Sequence, residues 1–225
     1  VLENSRKFNV KKFIYAASSS SYGIPKKYPT NETESLDPKY PYSLSKKLGE
    51  DLVLHWGKVY KLKVISLRFF NIYGERSRTS GTYGAMFGIF LAQKLRGKPY
   101  TVVGNGNQKR DFTYISDVID AIIKASRLKK NQLIINIGNG KCYSVNYIVK
   151  LLGGKKIYIP KRPGEPYITW GNIKRAKKIL NWKPKVSIEA GIKILLENIY
   201  LWKSAPLWDK KKIKKATKDW FKYLK

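Results

Sequence analysis

Two short apolar runs flank a long helix-forming stretch, and this alternation constrains the fold more than any other feature of the chain. The first, Lys12-Phe13-Ile14-Tyr15-Ala16-Ala17, and the second, residues 63–70 with Val64, Ile65, Leu67 and Phe69, are rich in aromatic and β-branched side chains. Both have the length and composition of buried strands. Between them lie a polar, proline-punctuated loop over residues 24–41 and a helical pattern from about Tyr42 to Lys61. Strand, helix, strand in succession predicts a parallel sheet in an α/β fold.

The rest of the chain continues in mixed order. Residues 1–9 read as the end of a helix, residues 85–96 as an amphipathic helix, and Tyr100 to Val103 as a short strand before the turn Gly104-Asn105-Gly106. Helical patterns recur over 116–128, 145–152, 174–180 and 188–202, and Ile134-Ile135-Asn136-Ile137 is a strand closed by Gly138-Asn139-Gly140. Asp117 and Asn172 fall where helix starts favour a carboxylate or a capping amide. The lysine-rich tail, residues 210–225, carries Trp220, Phe221 and Leu224, which are expected to pack it onto the domain instead of leaving it as a basic interfacial helix.

Composition excludes several classes. At 43% hydrophobic over 225 residues the chain buries a full core and is not disordered. One cysteine, Cys142, allows no internal disulfide, and the lone His55 has no second ligand at metal spacing. No apolar run approaches the ~20 residues that span a bilayer, so the expected compartment is the cytoplasm. The net charge of +31 has two readings, an anionic polymer or membrane partner and a lysine-rich solvated surface. The lysines are spread through every segment and no nucleic-acid-binding motif accompanies them, so the surface reading is taken, with no specific nucleic acid expected.

The chemistry-bearing residues begin with Tyr42 and Lys46, four apart at the start of the long helix, where i and i+4 share a face. A phenol titrates near ~10, and a neighbouring cation favours its phenolate. The pattern Y-x-x-x-K is weak alone in a chain with 16 tyrosines. It gains weight from the strand at 12–17 and the turn Ser18-Ser19-Ser20-Ser21-Tyr22-Gly23 that precede it. Taken singly, Ser18 also suits a plain strand-end turn and Tyr42 a plain helix start.

With these motifs the chain resembles the extended short-chain dehydrogenase/reductase family, and within it the nucleotide-sugar epimerases and dehydratases. The resemblance runs through FIYAASSSSYG, PYSLSKKLGE, SLRFFNIYGER, VVGNGNQKRDFTYISDV, INIGNG, RPGEP and LNWKPKVSIEAGI, in family order over nearly all of residues 1–200. It implies an NAD-dependent enzyme in which Ser18, Tyr42 and Lys46 form the catalytic set, Tyr42 as base and Lys46 on the nicotinamide ribose. It places Phe70 on the cofactor side and Asn71 on the nucleotide-sugar phosphates. Arg110 and Arg162 match the two diphosphate-binding arginines, a role that suits the planar fork of guanidinium. Glu165 stands where many relatives have Asp at the nucleotide ribose, Val102 and Val103 pass beneath the nucleobase, and Asp111 is an orienting partner.

The residues after Ser18 narrow the reaction that the resemblance implies. Family dehydratases carry an Asp-Glu pair there and the related decarboxylases a Glu, whereas Ser19 and Ser20 cannot act as acids near neutral pH. Oxidation and re-reduction at C4 remain, which is a 4-epimerase of the UDP-glucose/UDP-galactose type. The alternatives are the same scaffold on a uronate, an N-acetylhexosamine, or a GDP- or CDP-sugar, and a non-catalytic basic binding protein.

The glycine turn that holds a dinucleotide pyrophosphate is not found. Gly81 to Gly88 follows a polar stretch instead of a buried strand, and Gly104-Asn105-Gly106 lacks the third glycine. The expected architecture is therefore the C-terminal part of a Rossmann-type parallel sheet, its first strands and glycine-rich turn missing, with a smaller mixed α/β substrate domain. The first covers residues 1–75 with a returning segment near 112–138, and the second 76–111 and 139–225. When complete, such a protein is expected to be a homodimer paired through the Tyr42 helix, whereas the 225 residues alone are expected to be inactive.

Overall fold

The computed structural model describes residues 1–77, 79 and 86–224. The elements in chain order are α1 Leu2–Lys7, β1 Phe13–Ser18, α2 Pro41–Tyr60, β2 Val64–Phe69, β3 Asn71–Tyr73, α3 Met86–Leu95, β4 Tyr100–Val103, β5 Lys109–Arg110 and β6 Phe112–Tyr114. They continue as α4 Ile115–Arg127, β7 Leu133–Ile137, β8 Tyr143–Ser144, α5 Val145–Leu152, β9 Lys156–Ile159, α6 Lys174–Leu180, α7 Ile188–Glu197, α8 Lys210–Ala216 and α9 Lys218–Tyr223. The chain divides into two compact units, one of residues 1–72, 111–142 and 169–185, the other of 73–110, 143–168 and 186–225.

The first unit is built on a parallel sheet in the order β1-β2-β7, the α/β arrangement expected of the two apolar runs. The central strand is buried along its length because both its faces are covered. Ile65 and Leu67 face a core of Val118, Ala121, Ala125, Ile135, Ile137 and Trp182, with Phe69 against its margin. On the alternate face Val64 packs with Val53 and Leu62, and Ser66 and Arg68 follow it at period two. Arg68 is buried with Glu50 of α2, its Nη2 donating to Oε1 at 2.5 Å and its Nε to Oε2 at 3.0 Å. The Ser66 hydroxyl donates to the same carboxylate at 2.6 Å.

This polar group extends beyond the pair. Arg68 Nη1 donates to the Tyr22 hydroxyl at 2.8 Å and to the Glu32 carbonyl at 3.1 Å. Tyr22 in turn donates to Asn136 Oδ1 of β7, whose backbone N–H reaches the Glu32 carboxylate. Burial works against the Arg68 charge, but the bonds and charges of Glu50 and Tyr22 outweigh it and hold the guanidinium more firmly protonated than usual.

The domain reading differs from the structure at residues 169–185, which pack with the first unit although they were expected in the second. The reason is specific: Trp182 is fully buried in the first core, and its Nε1 donates to the Asp117 carbonyl at 2.9 Å. Asp117 lies in the first turn of α4, where its Oδ1 also accepts the Lys185 N–H. Asn172 accepts the Lys174 N–H and so serves the start of α6.

In the second unit β4 and β9 pair in parallel and β5 and β8 antiparallel. Helix α3 is buried almost all round, with Phe90 tilted on Tyr100 at 5.0 Å between ring centroids. The glycine cluster near its start lies partly outside the described residues. The pattern over 188–202 breaks after Glu197, where Asn198 ends α7 and one 3-10 turn follows. Strand β9 was not read from sequence, because three of its four residues, Lys156, Ile157 and Tyr158, are exposed and give no alternation. Among the described residues no helix is long and apolar enough to cross a membrane, and no cluster of metal-ligating side chains is present.

Glu50→Gln should leave Arg68 buried against a neutral partner and cost about 3–5 kcal/mol, whereas Glu50→Leu with Arg68→Met should cost much less. Urea unfolding of the three proteins checks this. A single variant no worse than the double one would remove the pair as the reason the face is polar.

Candidate active site

In the first unit the serine turn is set by hydrogen bonds to its own leading residue. Ser18 ends β1 and caps the 3-10 turn Ser19–Tyr22, its Oγ accepting from the Ser20 N–H at 3.2 Å and from the Ser20 hydroxyl at 2.9 Å. Gly23 closes the turn at φ 65°, and a Cβ there would run into the Asp37 carbonyl, so only glycine fits. Ser21 then donates to the Ser43 carbonyl at 3.3 Å, which ties the turn to the first turn of α2.

Tyr42 follows Pro41 at the start of α2, where the helix amides favour negative charge. Ser43 fixes that start by accepting the Tyr40 N–H at 3.1 Å. One turn on, the Lys46 ammonium lies 5.8 Å from the centroid of the Tyr42 ring and 5.7 Å from that of Tyr15. It donates to the Ala16 carbonyl at 2.9 Å, which hangs it between the helix and the end of β1. Tyr42 is 40% exposed, open enough to meet a ligand. Ser18, Tyr42 and Lys46 are therefore gathered at the C-terminal end of β1 by contacts within one unit, and a parallel sheet offers its ligand sites at that end.

Phe70 and Asn71 follow β2 and differ in access. Phe70 is buried, its ring beneath Gly171, where an added Cβ would lie 2.7 Å from the ring. The ring thus forms a floor under Gly171. Asn71 is half-buried, and its Oδ1 accepts the Thr169 hydroxyl at 2.8 Å, which leaves Nδ2 as the donor end of the amide.

Asp111 orders this neighbourhood. Fully buried, it accepts the backbone N–H groups of Asn139 at 2.5 Å, Gly140 at 3.1 Å and Gly171 at 3.1 Å, while its carbonyl accepts from Asn71 N–H. One carboxylate thus holds two loops beside Asn71. Gly138 permits the approach, since a Cβ there would come within 2.8 Å of Asp111 Oδ2. Burial raises the Asp111 carboxyl to about 7, against the opposing pull of the three N–H groups.

In the second unit Arg110 and Arg162 meet on one carboxylate. Arg162 Nη1 lies 3.1 Å from Glu165 Oε1, and Arg110 Nη2 lies 3.7 Å from Oε2. Arg110 Nη1 also donates to the carbonyls of Lys109 and Tyr167. Glu165, expected at the nucleotide ribose, directs its two oxygens to the two arginines. On β4, Val102 is fully buried, while Val103 is partly exposed.

Residues 1–138 match the model of the NAD dependent epimerase/dehydratase family. The chain belongs to that family. Among its relatives are the putative UDP-glucose 4-epimerase of Methanocaldococcus jannaschii, 36% identical over 86% of this chain and 64% of that protein, and the UDP-glucuronate 4-epimerase of Thermodesulfobacterium geofontis, 36% identical over 91% and 65%. Among solved structures, UDP-glucuronic acid 4-epimerase from Bacillus cereus, in complex with UDP-glucuronic acid and NAD, superposes with a TM-score of 0.82 at 33% identity, covering 88% of this chain and 64% of that one. UDP-glucose 4-epimerase from Thermotoga maritima, with UDP-glucose, gives 0.82 at 34%, covering 88% and 66%. The chain spans 47% to 65% of the length of these and the other curated relatives compared. The Rossmann-type fold expected from sequence is that of these epimerases.

The sequence reading of this family member missed the residues that support the site. Glu32 and Thr169 lie outside the motif segments, and Glu50 and Asn136 were not singled out within theirs, although Arg68 and Asn136, each inside a mainly apolar strand, were a visible signal of buried polar partners.

For Asp111 the folded carboxyl, at about 7, holds its proton more tightly than an unfolded one near 3.8. Its contribution to stability is therefore fully present below the lower value and lost as pH rises through the upper. Asp111→Asn, which turns an amide N–H toward backbone donors, should cost about 1–3 kcal/mol. The margin of the wild type over this variant should shrink between about pH 4 and 7, read from urea midpoints. A margin that grows with pH would mean that the ionised carboxylate is the folded form.

Proposed function

We propose that the complete protein interconverts the C4 epimers of a nucleotide-linked hexose, with UDP-glucose/UDP-galactose as the favoured pair. The observation that carries this reading is the Ser18, Tyr42 and Lys46 cluster at the C-terminal end of β1, in a chain whose relatives bear 4-epimerase names.

Tyr42, as phenolate, takes the proton of the sugar 4-hydroxyl and later returns it. Lys46, held by the Ala16 carbonyl, keeps a positive charge near that phenol and turns its remaining ammonium hydrogens to the ribose of the dinucleotide. Ser18 hydrogen-bonds the same sugar oxygen. A phenol and an anchored ammonium at the end of a parallel strand fit the nicotinamide half of NAD. NAD, when bound there, would supply the reversible hydride acceptor that oxidation and re-reduction at C4 require. In the first unit Asn71 presents Nδ2 as a donor for phosphate oxygen; in the second, Arg110 and Arg162 are the diphosphate-binding groups. Ser19 and Ser20 offer no acid for elimination, which keeps the reaction to epimerisation.

A second reading replaces the hexose by a uronate, favoured by the UDP-glucuronate 4-epimerases among the relatives. In the complete protein Tyr42→Phe should lower turnover by about 10²–10⁴ with UDP binding little changed. Assaying UDP-galactose and UDP-galacturonate side by side tests mechanism and sugar together. A phenylalanine variant with near-normal turnover would take Tyr42 out of the mechanism.

The same protein is read as a cytoplasmic homodimer. Leu44, Leu48 and Leu52, each about half exposed at four-residue spacing along α2, form the pairing stripe. Leu48→Glu should give monomers by light scattering at micromolar concentration, and a dimer that persists would place the seam elsewhere.

A further inference from the structure

The tail beyond α7 lies past most of the family resemblance, yet it ends against the loop that carries Arg162. Trp220 of α9 is buried, at 7% exposure, and its Nε1 donates to the Pro163 carbonyl at 2.7 Å. The face of its indole receives the Arg162 guanidinium, 5.9 Å from the ring centroid. Both contacts lie within the second unit and fall on neighbouring residues of one loop. That loop needs outside support. Pro160, Pro163 and Pro166 remove three N–H donors from it, and Gly164 turns through φ 72°, so residues 160–166 cannot form a ladder of their own. Ile213 and Thr217, both buried, anchor the tail and hold α9 in place.

We infer that Trp220 is a positioning residue for nucleotide binding: the tail braces the Arg162 loop, fixing the Pro163 carbonyl and backing the guanidinium so that its fork is ordered before a diphosphate arrives. This rests on the reading above that Arg162 binds the diphosphate. The physical basis is pre-organisation. Arginine loses much rotamer freedom when it is fixed on a ligand, and a guanidinium already held over the indole face has less to lose. Glu165 restrains the guanidinium through one nitrogen at its edge, while the indole face lies against its charge.

The test is a double-mutant cycle on the complete protein, titrated with UDP in a calorimeter. Trp220→Ala should weaken UDP by roughly 3- to 30-fold, the range of a partly desolvated cation–π contact. Trp220→Phe, which keeps a ring and loses the N–H, should lose less. In the Arg162→Ala background the same Trp220→Ala change should alter affinity by under about twofold, because the guanidinium it braces is gone. A tail that serves only the fold would instead show the same loss in both backgrounds, and that result overturns the inference. Unchanged UDP affinity in Trp220→Ala overturns it equally. Should Trp220→Ala fail to fold, the Trp220→Phe pair carries the same cycle. A wild type that does not bind UDP refutes the diphosphate reading itself, and the inference falls with it. A wild type that binds UDP beside an indifferent Trp220 refutes the inference alone.

Discussion

The Glu50–Arg68 pair is the constraint on which the first unit depends. Tyr42, Lys46 and Glu50 are spaced four apart on α2, so the face that carries the phenol and the ammonium continues into the buried carboxylate. Arg68 stands on the central strand. A two-nitrogen bond between them fixes both the rotation of the helix and its position along the sheet, which apolar packing alone would leave freer. Tyr22 joins the same guanidinium from the serine turn. The turn, the helix and the strand are thus referred to one buried charge. A buried pair need not add net stability over a well-packed apolar one; its value in this unit lies in the geometry it selects.

Asp111 repeats the principle at the next strand end. Its three backbone partners come from two loops far apart in sequence, 139–140 and 171, and its own carbonyl holds Asn71. A side chain that looks catalytic from its place in Lys-Arg-Asp-Phe is buried and enclosed among backbone amides. Thr169, on the second of those loops, then decides which end of the Asn71 amide faces outward. The order of dependence runs from a buried carboxylate to loop position to the orientation of one amide.

The two apolar runs, the Tyr42 helix and the parallel pairing were legible because each rests on local period and composition. The Tyr42/Lys46 spacing was legible for the same reason. What could not be read depends on partners far apart in sequence: residues 169–185 join the first unit through Trp182, and β9 forms on β4 with three of its four side chains exposed. Nor could spacing show that Phe70 and Val102 turn inward, since burial on a strand depends on what covers it. One signal was available. With 15 acidic residues against 46 basic ones, an acid is scarce in this chain. Glu32, Glu50, Asp111 and Asp117 are all buried with hydrogen-bonded partners. In a lysine-rich sequence the acids point to the supports of the site better than the bases point to its ligands.

The same imbalance bears on how an anion would be selected. A charge of +31 attracts any polyanion, but at physiological salt its reach is about 8 Å, and attraction from scattered lysines carries no geometry. Arg110 and Arg162 differ from that background. Their side chains are 14% and 17% exposed, each is held by named partners, and Glu165 between them offsets the repulsion that would otherwise spread them. A compact arginine pair with one interposed carboxylate keeps a net positive charge in a fixed shape. On the function proposed above, the diffuse charge governs encounter, while the ordered pair governs which anion stays.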